Sequence, residues 1–274
     1  MAHTATIPVI GSIERVNSLL PIFSLWRREI VRFYRQKSRV IGVILSPLLF
    51  WLVIGSGFGS SFRSGPGEQH YLQYFFPGAL LMIVLFTSIF TMMSVIEDRD
   101  RGFLSSVLVA PVSRTAIVMG KVLGGTTLSA VQGLVFLVFA PAVGVHFTIA
   151  DFLIVVVSVF LMAFALTALG FALAWRMESA QAFHAIVNLF LIPLWLLSGA
   201  LFPASGASGW IRWVMRVNPL TYGLDALRTA LFPATATMNL FSVSTSLAIL
   251  AIFTAAIFGA AFMMVNRRTT QPAA

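Results

Sequence analysis

The sequence contains no cysteine, which excludes disulfide bonds, thiolate metal sites and a thiol nucleophile. Charge is scarce too: 10% of the residues are Asp, Glu, Lys or Arg, against about 25% in an ordinary soluble domain. The four histidines, His3, His70, His146 and His184, are too scattered to hold a metal. Acids and bases do not converge either, since Asp151 and His146 flank one loop without a third partner. No catalytic or metal-binding set is expected. A phosphate-cradling loop is also missing: Lys121 is followed by Val122, and no glycine stands five residues before Gly120. The chain is not expected to hydrolyse ATP by that route, and it needs no cofactor of its own.

What fills the space is apolar. Of 274 residues 58% are hydrophobic, 25 are Phe, and the mean hydropathy is +0.93. Crossing a hydrocarbon core takes about 20 apolar helical residues. Six stretches qualify, at 39–58, 74–96, 122–143, 152–174, 181–202 and 241–265. Their apolar runs are continuous where barrel strands would alternate, so the expected fold is an all-α membrane protein with six transmembrane helices. Internal repeats and flexible linkers are absent from the sequence, and the chain reads as a single domain over 1–274. No cleaved signal peptide is expected, because no small-residue cleavage site follows the first apolar run.

The net charge of +9 could suggest nucleic acid, but its placement suggests a membrane. With both termini on the cytoplasmic side, 14 of the 18 basic residues fall inside, and Arg63, Arg212, Arg216 and Arg228 fall outside. That is the positive-inside bias of a bacterial-type inner or plasma membrane protein, and it makes nucleic-acid binding unnecessary.

Three segments outside the spans stand out. In the cytoplasmic region 1–38, Leu19, Ile22, Phe23, Trp26, Ile30 and Phe33 share one helix face, and Arg28, Arg32, Arg35 and Arg39 fall mostly on another. An interfacial amphipathic helix is expected, held by anionic lipid or by a partner protein. In the loop 97–121, Glu97, Asp98, Arg99, Asp100 and Arg101 place five charges in five residues. They are too costly to bury at mid-bilayer, so they are expected beyond it, with Glu97 and Arg101 paired four apart. Phe103, Leu104, Val107 and Leu108 then form an apolar ridge ended by Pro111. The ridge either meets a partner or folds back on the membrane surface. Between spans five and six, residues 203–240 hold a Trp210, Trp213, Val214, Val217 stripe. A helix from Asn218 as N-cap and Pro219 to about Phe232 follows. Both pieces are too short to cross, which predicts a re-entrant or surface-lying outer segment. Asp225 and Arg228 are three apart there, the spacing of a surface ion pair. Within the spans Gln132, His184 and Asn188 are polar exceptions, suited to helix packing or to contact with a transported ligand.

The loop residues Glu97 to Arg101, the run VLVAPVSR from Val107 to Arg114 and the downstream Gly120 and Lys121 resemble the first cytoplasmic loop of ABC-2 type exporter permeases. SGALFP, Ser198 to Pro203, and NPLTYGLDALR, Asn218 to Arg228, resemble the outer re-entrant segment of that family. The style is similar to drug-resistance and lipo-oligosaccharide export permeases. One departure is local: many relatives carry Gly-Thr and a Glu where this chain has Gly102, Phe103 and Ser105.

The resemblance implies an exporter subunit for an amphipathic, lipid-like or drug-like substrate. It implies a separate cytoplasmic ABC ATPase, in two copies, carrying the ATP and Mg, and a second permease copy in a homodimer. Residues Glu97 to Arg101, Phe103, Leu104, Leu108, Pro111 and Arg114 would couple to the ATPase, with Trp26, Arg28, Arg32 and Arg35 beside them. Pro203, Asn218, Pro219, Asp225 and Arg228 would form an outer gate, and His184 and Asn188 would line the path. The alternatives from other classes are a membrane-anchored scaffold or enzyme and an ATP-independent carrier.

Overall fold

In hydrocarbon every backbone N–H and C=O must be satisfied within the protein, which leaves helices as the form for long, continuously apolar runs. The structure, a computed structural model, describes residues 19–58, 71–145, 148–233 and 239–266. Helices dominate, and no strand occurs among the described residues. Six helical stretches are long and apolar enough to cross: Val40–Gly57, Tyr71–Asp100, Arg114–Val143, Ile149–Arg176, Ala180–Ala200 and Val243–Asn266. The six expected spans are therefore present. Arg63, His146, the first 18 residues, residues 234–238 and the two C-terminal arginines lie outside the described residues.

The spans are built from α2 (Lys37–Gly57), α3 (Tyr71–Thr91) with α4 (Met93–Asp100), α6 (Arg114–Phe136) and α7 (Ile149–Arg176). α8 (Ala180–Trp195) and α11 (Val243–Asn266) complete them. Short α5 (Phe103–Val109) links α4 to α6, and α9 (Gly209–Val217) and α10 (Pro219–Leu231) lie between α8 and α11. Up-and-down crossing gathers Asp100, Arg114, Arg176 and Asn266 at one end, the charged end, and Tyr71, Ile149 and Val243 at the opposite end.

α3 is the centre, packed on α2, α6 and α7, with Phe75, Phe76, Leu80 and Leu85 fully buried. α2, α8 and α11 are peripheral and turn Leu49, Val53, Leu189, Phe190 and Ile252 outward. Apolar side chains gain little by leaving lipid for protein, so close backbone approach and buried hydrogen bonds specify which helices pair. Thr87 donates to the Gln132 Oε1 at 2.6 Å, and Ser88 Oγ lies 2.9 Å from Ser129 Oγ, both joining α3 to α6. Gln132 thus has the packing role anticipated for a lone polar residue in a span.

The amphipathic segment is helical, as α1 (Leu19–Arg35), and turns into α2 at the single residue Gln36. Its packing adds a protein contact to the interfacial reading. α1 lies against α6 through Leu25, Glu29 and Phe33, which are buried, whereas Leu19, Leu20 and Phe23 are exposed. Gly120 and Gly124 of α6 make the approach possible. A Cβ on Gly120 would stand 2.6 Å from the Leu25 Cβ, and one on Gly124 would stand 2.7 Å from the Glu29 Cβ. Trp26 donates to Thr127 Oγ1 at 3.0 Å and fixes the register. The sequence face of six apolar residues leaves out Leu25 and Glu29, whose partner is a glycine seam on a helix about ninety residues away.

Gly124→Ala should therefore force α1 off its seat, with an overpacking cost of about 1–3 kcal/mol. Gly259→Ala, at a glycine with open space around it, should be neutral. Melting curves of the purified protein compare the two; equal melting temperatures would remove the seam from the account.

Candidate functional site

At the charged end, the side chain of Asp98 is completely buried and accepts from three cations. Arg28 grips it with two nitrogens, Nη2 to Oδ1 at 2.6 Å and Nη1 to Oδ2 at 2.7 Å. Arg32 Nη1 adds a bond to Oδ1 at 2.8 Å, and Lys121 Nζ binds Oδ2. Lys121, itself buried, also donates to Glu29 Oε1 at 2.6 Å and Ser94 Oγ at 3.1 Å, so its three donors are all used. Arg32 binds Glu97 with its other nitrogen. Three acids thus meet three bases in an electrically neutral set, buried at Asp98, Glu29 and Lys121 and partly exposed at Arg28, Arg32 and Glu97. The hydrogen bond to Asp98 is the chief reason that the Arg28 guanidinium is held above its ordinary range.

The network overturns the picture of a solvated charged turn. α4 continues α3 after one tight turn at Met92, and its Glu97 and Asp98 face α1 and α6. Glu97 and Arg101 approach only to 4.0 Å, and the Arg101 side chain is 69% exposed, so the expected pair within α4 is subsidiary to Arg32. Asp100 points to solvent. Arg35 of α1 is exposed and stays outside the network. The sequence reading missed Glu29 and Lys121 as members. The available signal was the i, i+4, i+8 ladder Leu25, Glu29, Phe33, in which an acid occupies an apolar position.

Gly102, with φ of +72°, turns the chain into α5. Arg28 covers the Phe103 ring at 3.7 Å, and Leu104 packs on Leu25 and Ile117. The exposed apolar ridge is therefore shorter than expected and lies further along. Leu104 belongs to the core, while Leu108 is 44% and Val109 87% exposed, just before Pro111. Arg99 and Arg114 serve neighbouring helices. Arg99 donates to the carbonyls of Trp175 and Met177 at 2.7 and 2.6 Å, at the end of α7. Arg114 donates to that of Val265 at 2.9 Å, at the end of α11. Guanidinium groups there satisfy orphan carbonyls and complement the helix dipole.

Beside this cluster a cavity of about 560 Å³ opens between α2, the α3–α4 junction and α8. Phe86, Phe90, Met93 and Ile192 supply apolar walls; Ser46, Asn188, His184 and Glu97 supply polar ones. His184 lies 5.0 Å from the Phe90 ring. His184 and Asn188, one helical turn apart, thus share one lining.

At the opposite end, α8 breaks its ladder in a wide turn over Leu196–Ala200, where Gly199 has φ of +91°. The Gly199 carbonyl accepts from Tyr74 Oη at 2.9 Å and Arg228 Nη2 at 2.6 Å, and Arg228 stacks over the Tyr74 ring at 4.3 Å. Asn218 is the N-cap of α10 as expected, accepting from Leu220 N at 3.0 Å, and it also donates to the Leu194 carbonyl at 2.6 Å. The surface pair Asp225–Arg228 is not observed: both residues are buried, and no ion pair joins them. Asp225 instead accepts from the backbone N–H groups of Leu240 and Phe241 at 3.1 and 3.2 Å. Burial pushes its carboxyl up to about 6. Pro203 lies in the extended turn ahead of α9, apart from this cluster of bonds. On α9, Met215 is buried and Trp210, Trp213 and Val217 face outward.

The sequence matches the family described as ABC-2 type transporter over residues 21–232. It is 30% identical over 212 residues to a chain named transport permease ycf38 of Cyanophora paradoxa, covering 76% of this chain and 72% of that one. The daunorubicin resistance ABC transporter permease protein DrrB1 of Streptomyces coeruleorubidus is 26% identical over 211 residues, 74% of this chain and 72% of its own. Nodulation protein J of Rhizobium meliloti is 23% identical over 208 residues, 75% and 79% of the two chains.

Removing one partner from a buried ion network leaves an uncompensated charge, at a cost of about 3–5 kcal/mol. Lys121→Met should be destabilised on that scale, and adding Glu29→Gln, which restores neutrality, should recover part of the loss. Unfolding in denaturing detergent measures both, and a double variant no better than the single would contradict a charge-balanced network. At the other end the raised Asp225 carboxyl contributes stability that is complete below the ordinary carboxylate range and is lost as pH rises through about 6. Melting temperatures taken across that window should fall in the native chain and flatten in Asp225→Asn.

Proposed function

The chain belongs to the ABC-2 type transporter family, and from that premise we propose that it is the membrane subunit of an ATP-driven exporter. Its cargo is an amphipathic, lipid-like or drug-like molecule, glycolipids included, moved outward from the cytoplasmic side. The observation that carries this reading is the cavity between α2, α3–α4 and α8. Its walls combine Phe, Met and Ile with amide, hydroxyl, imidazole and carboxylate groups, a lining suited to a molecule with apolar body and polar handles. The drug-resistance name of one relative points the same way.

ABC-2 permeases pair with an ABC ATPase subunit, and this chain would take two ATPase copies, which bring the ATP and Mg, together with a second permease copy. The charged end is cytoplasmic in this reading, in keeping with its basic residues, and the membrane is of the bacterial inner or plasma type. The exposed Leu108 and Val109 offer the ATPase an apolar contact. Arg28, Arg32, Lys121 and their acids make α1, α4, α5 and α6 respond to it as one body. α9, α10 and their hydrogen bonds to α3 and α8 form the re-entrant outer segment and gate.

The test is reconstitution in vesicles with the ATPase that co-purifies. Amphipathic compounds should stimulate ATP hydrolysis. Asn188→Trp, which fills the cavity, should abolish that stimulation while ATPase binding persists. Leu108→Asp with Val109→Asp should lose ATPase binding at unchanged melting temperature, because charge would replace a desolvated contact. Failure to recover any ATPase, or full transport by either variant, would overturn the proposal.

A further inference from the structure

A second opening is lined by helices that take no part in that cavity. α7 and α11 run parallel and end together at the charged end, and between their last turns is a groove of about 350 Å³. Leu169, Leu173, Ile257, Ala260 and Met264 line it, and its single charged residue is Arg176, at the end nearest the helix termini. From Leu169 to Arg176 the helix rises about 10 Å, most of the roughly 15 Å of hydrocarbon in one leaflet. The depth and the wall chemistry fit an acyl chain lying along the helices.

Apolar fit alone gives no preference, since an acyl chain is equally at home in bulk lipid. The headgroup end supplies one. Arg176 is exposed and has no ion pair among the described residues. Two more guanidinium groups sit at the same two helix ends: Arg99, bonded to the last carbonyls of α7, and Arg114, bonded to Val265 of α11. The nearest acid in sequence, Glu178, lies on the turn that leads away to α8 and forms no pair with Arg176. The exposed guanidinium of Arg176 at the mouth of an apolar groove matches a lipid phosphate, and Arg99 and Arg114, though bonded to carbonyls, add positive charge at the same helix ends.

We infer that the α7–α11 groove is a binding site for one anionic phospholipid, its acyl chain between the helices and its phosphate on Arg176. The site is separate from the transport cavity, and it stands whichever leaflet the charged end faces and whether or not the chain exports anything.

The probes are phosphatidylglycerol and phosphatidylcholine of equal chain length, added to the full chain in detergent and read by native mass spectrometry and melting temperature. Phosphatidylglycerol should be retained as a single adduct and raise the melting temperature; phosphatidylcholine should do neither. Arg176→Gln should weaken retention about fivefold, the effect of one basic residue at an anionic surface. Ala260→Trp should block it with Arg176 intact. Arg101→Gln, an exposed arginine of the same end away from the groove, should change nothing. Equal retention of the two lipids, or equal loss in Arg101→Gln and Arg176→Gln, would reduce the effect to general surface charge and overturn the site. Disulfide cross-linking of Ala260→Cys between two copies in vesicles would assign the groove to a second chain instead and overturn it as well. Since Arg176 is exposed, its substitution leaves the fold intact and keeps the test decisive if Ala260→Trp does not fold.

Discussion

The fully buried carboxylate of Asp98 is the constraint around which the charged end is arranged. Isolated at that depth it would be intolerable, and each of its lone pairs is met by Arg28, Arg32 or Lys121. Those cations in turn require Glu29 and Glu97 for neutrality. An apolar contact of the same size could stabilise as well, but it would slide. A two-pronged Arg–carboxylate bond has one geometry. With the glycine seam of α6 it sets α1 in a single register and ties α1, α4, α5 and α6 into one unit.

This constraint explains what the sequence could and could not reveal. The six spans were legible because hydropathy is a local property of twenty residues, and the Asn218 cap and α10 were legible because N-cap chemistry needs only its own neighbours. The charged knot was expected beyond mid-bilayer on cost alone. Its solution was hidden, because its partners lie about seventy residues upstream and twenty downstream, and nothing in Glu97 to Arg101 says that Arg28 will arrive. The same holds for Asp225 and Arg228. Their spacing suggested a pair, whereas burial turned each toward a backbone group on another segment. The expected apolar ridge was shifted for a related reason: Leu104 meets Leu25 only once α1 has docked. The likeness to ABC-2 permeases, by contrast, rested on the order of short motifs along the chain and was legible without any contact.

The opposite end is held by different physics. The wide turn at the end of α8 withdraws carbonyls from the helical ladder, and the segments around it bind those carbonyls. Asn218 takes Leu194, Tyr74 and Arg228 take Gly199, and Tyr71 takes Leu201 at 2.9 Å. The resemblance-bearing runs Ser198–Pro203 and Asn218–Arg228 are thus two sides of one junction. Gly199 is suited to it because its positive φ is free of the penalty that a Cβ would bring.

The ion pairs of the neutral cluster are coupled, since removing one member leaves an uncompensated charge beside the rest. Hydrogen bonds to released carbonyls are each worth about 0.5–1.5 kcal/mol net from the neutral donors Tyr71, Tyr74 and Asn218 and about 1.5–3 from the Arg228 guanidinium, and can be exchanged one at a time. The charged end is accordingly the stiff end and the opposite end the compliant one. α3 with α4 belongs to both, carrying Tyr71 and Tyr74 at one extreme and Glu97 and Asp98 at the other. Under the proposed function, a displacement imposed on the charged end by an ATPase would be delivered along the packed helix α3–α4 to the bonds at the opposite end, and the junction of α8 and α10 would yield before the charged cluster.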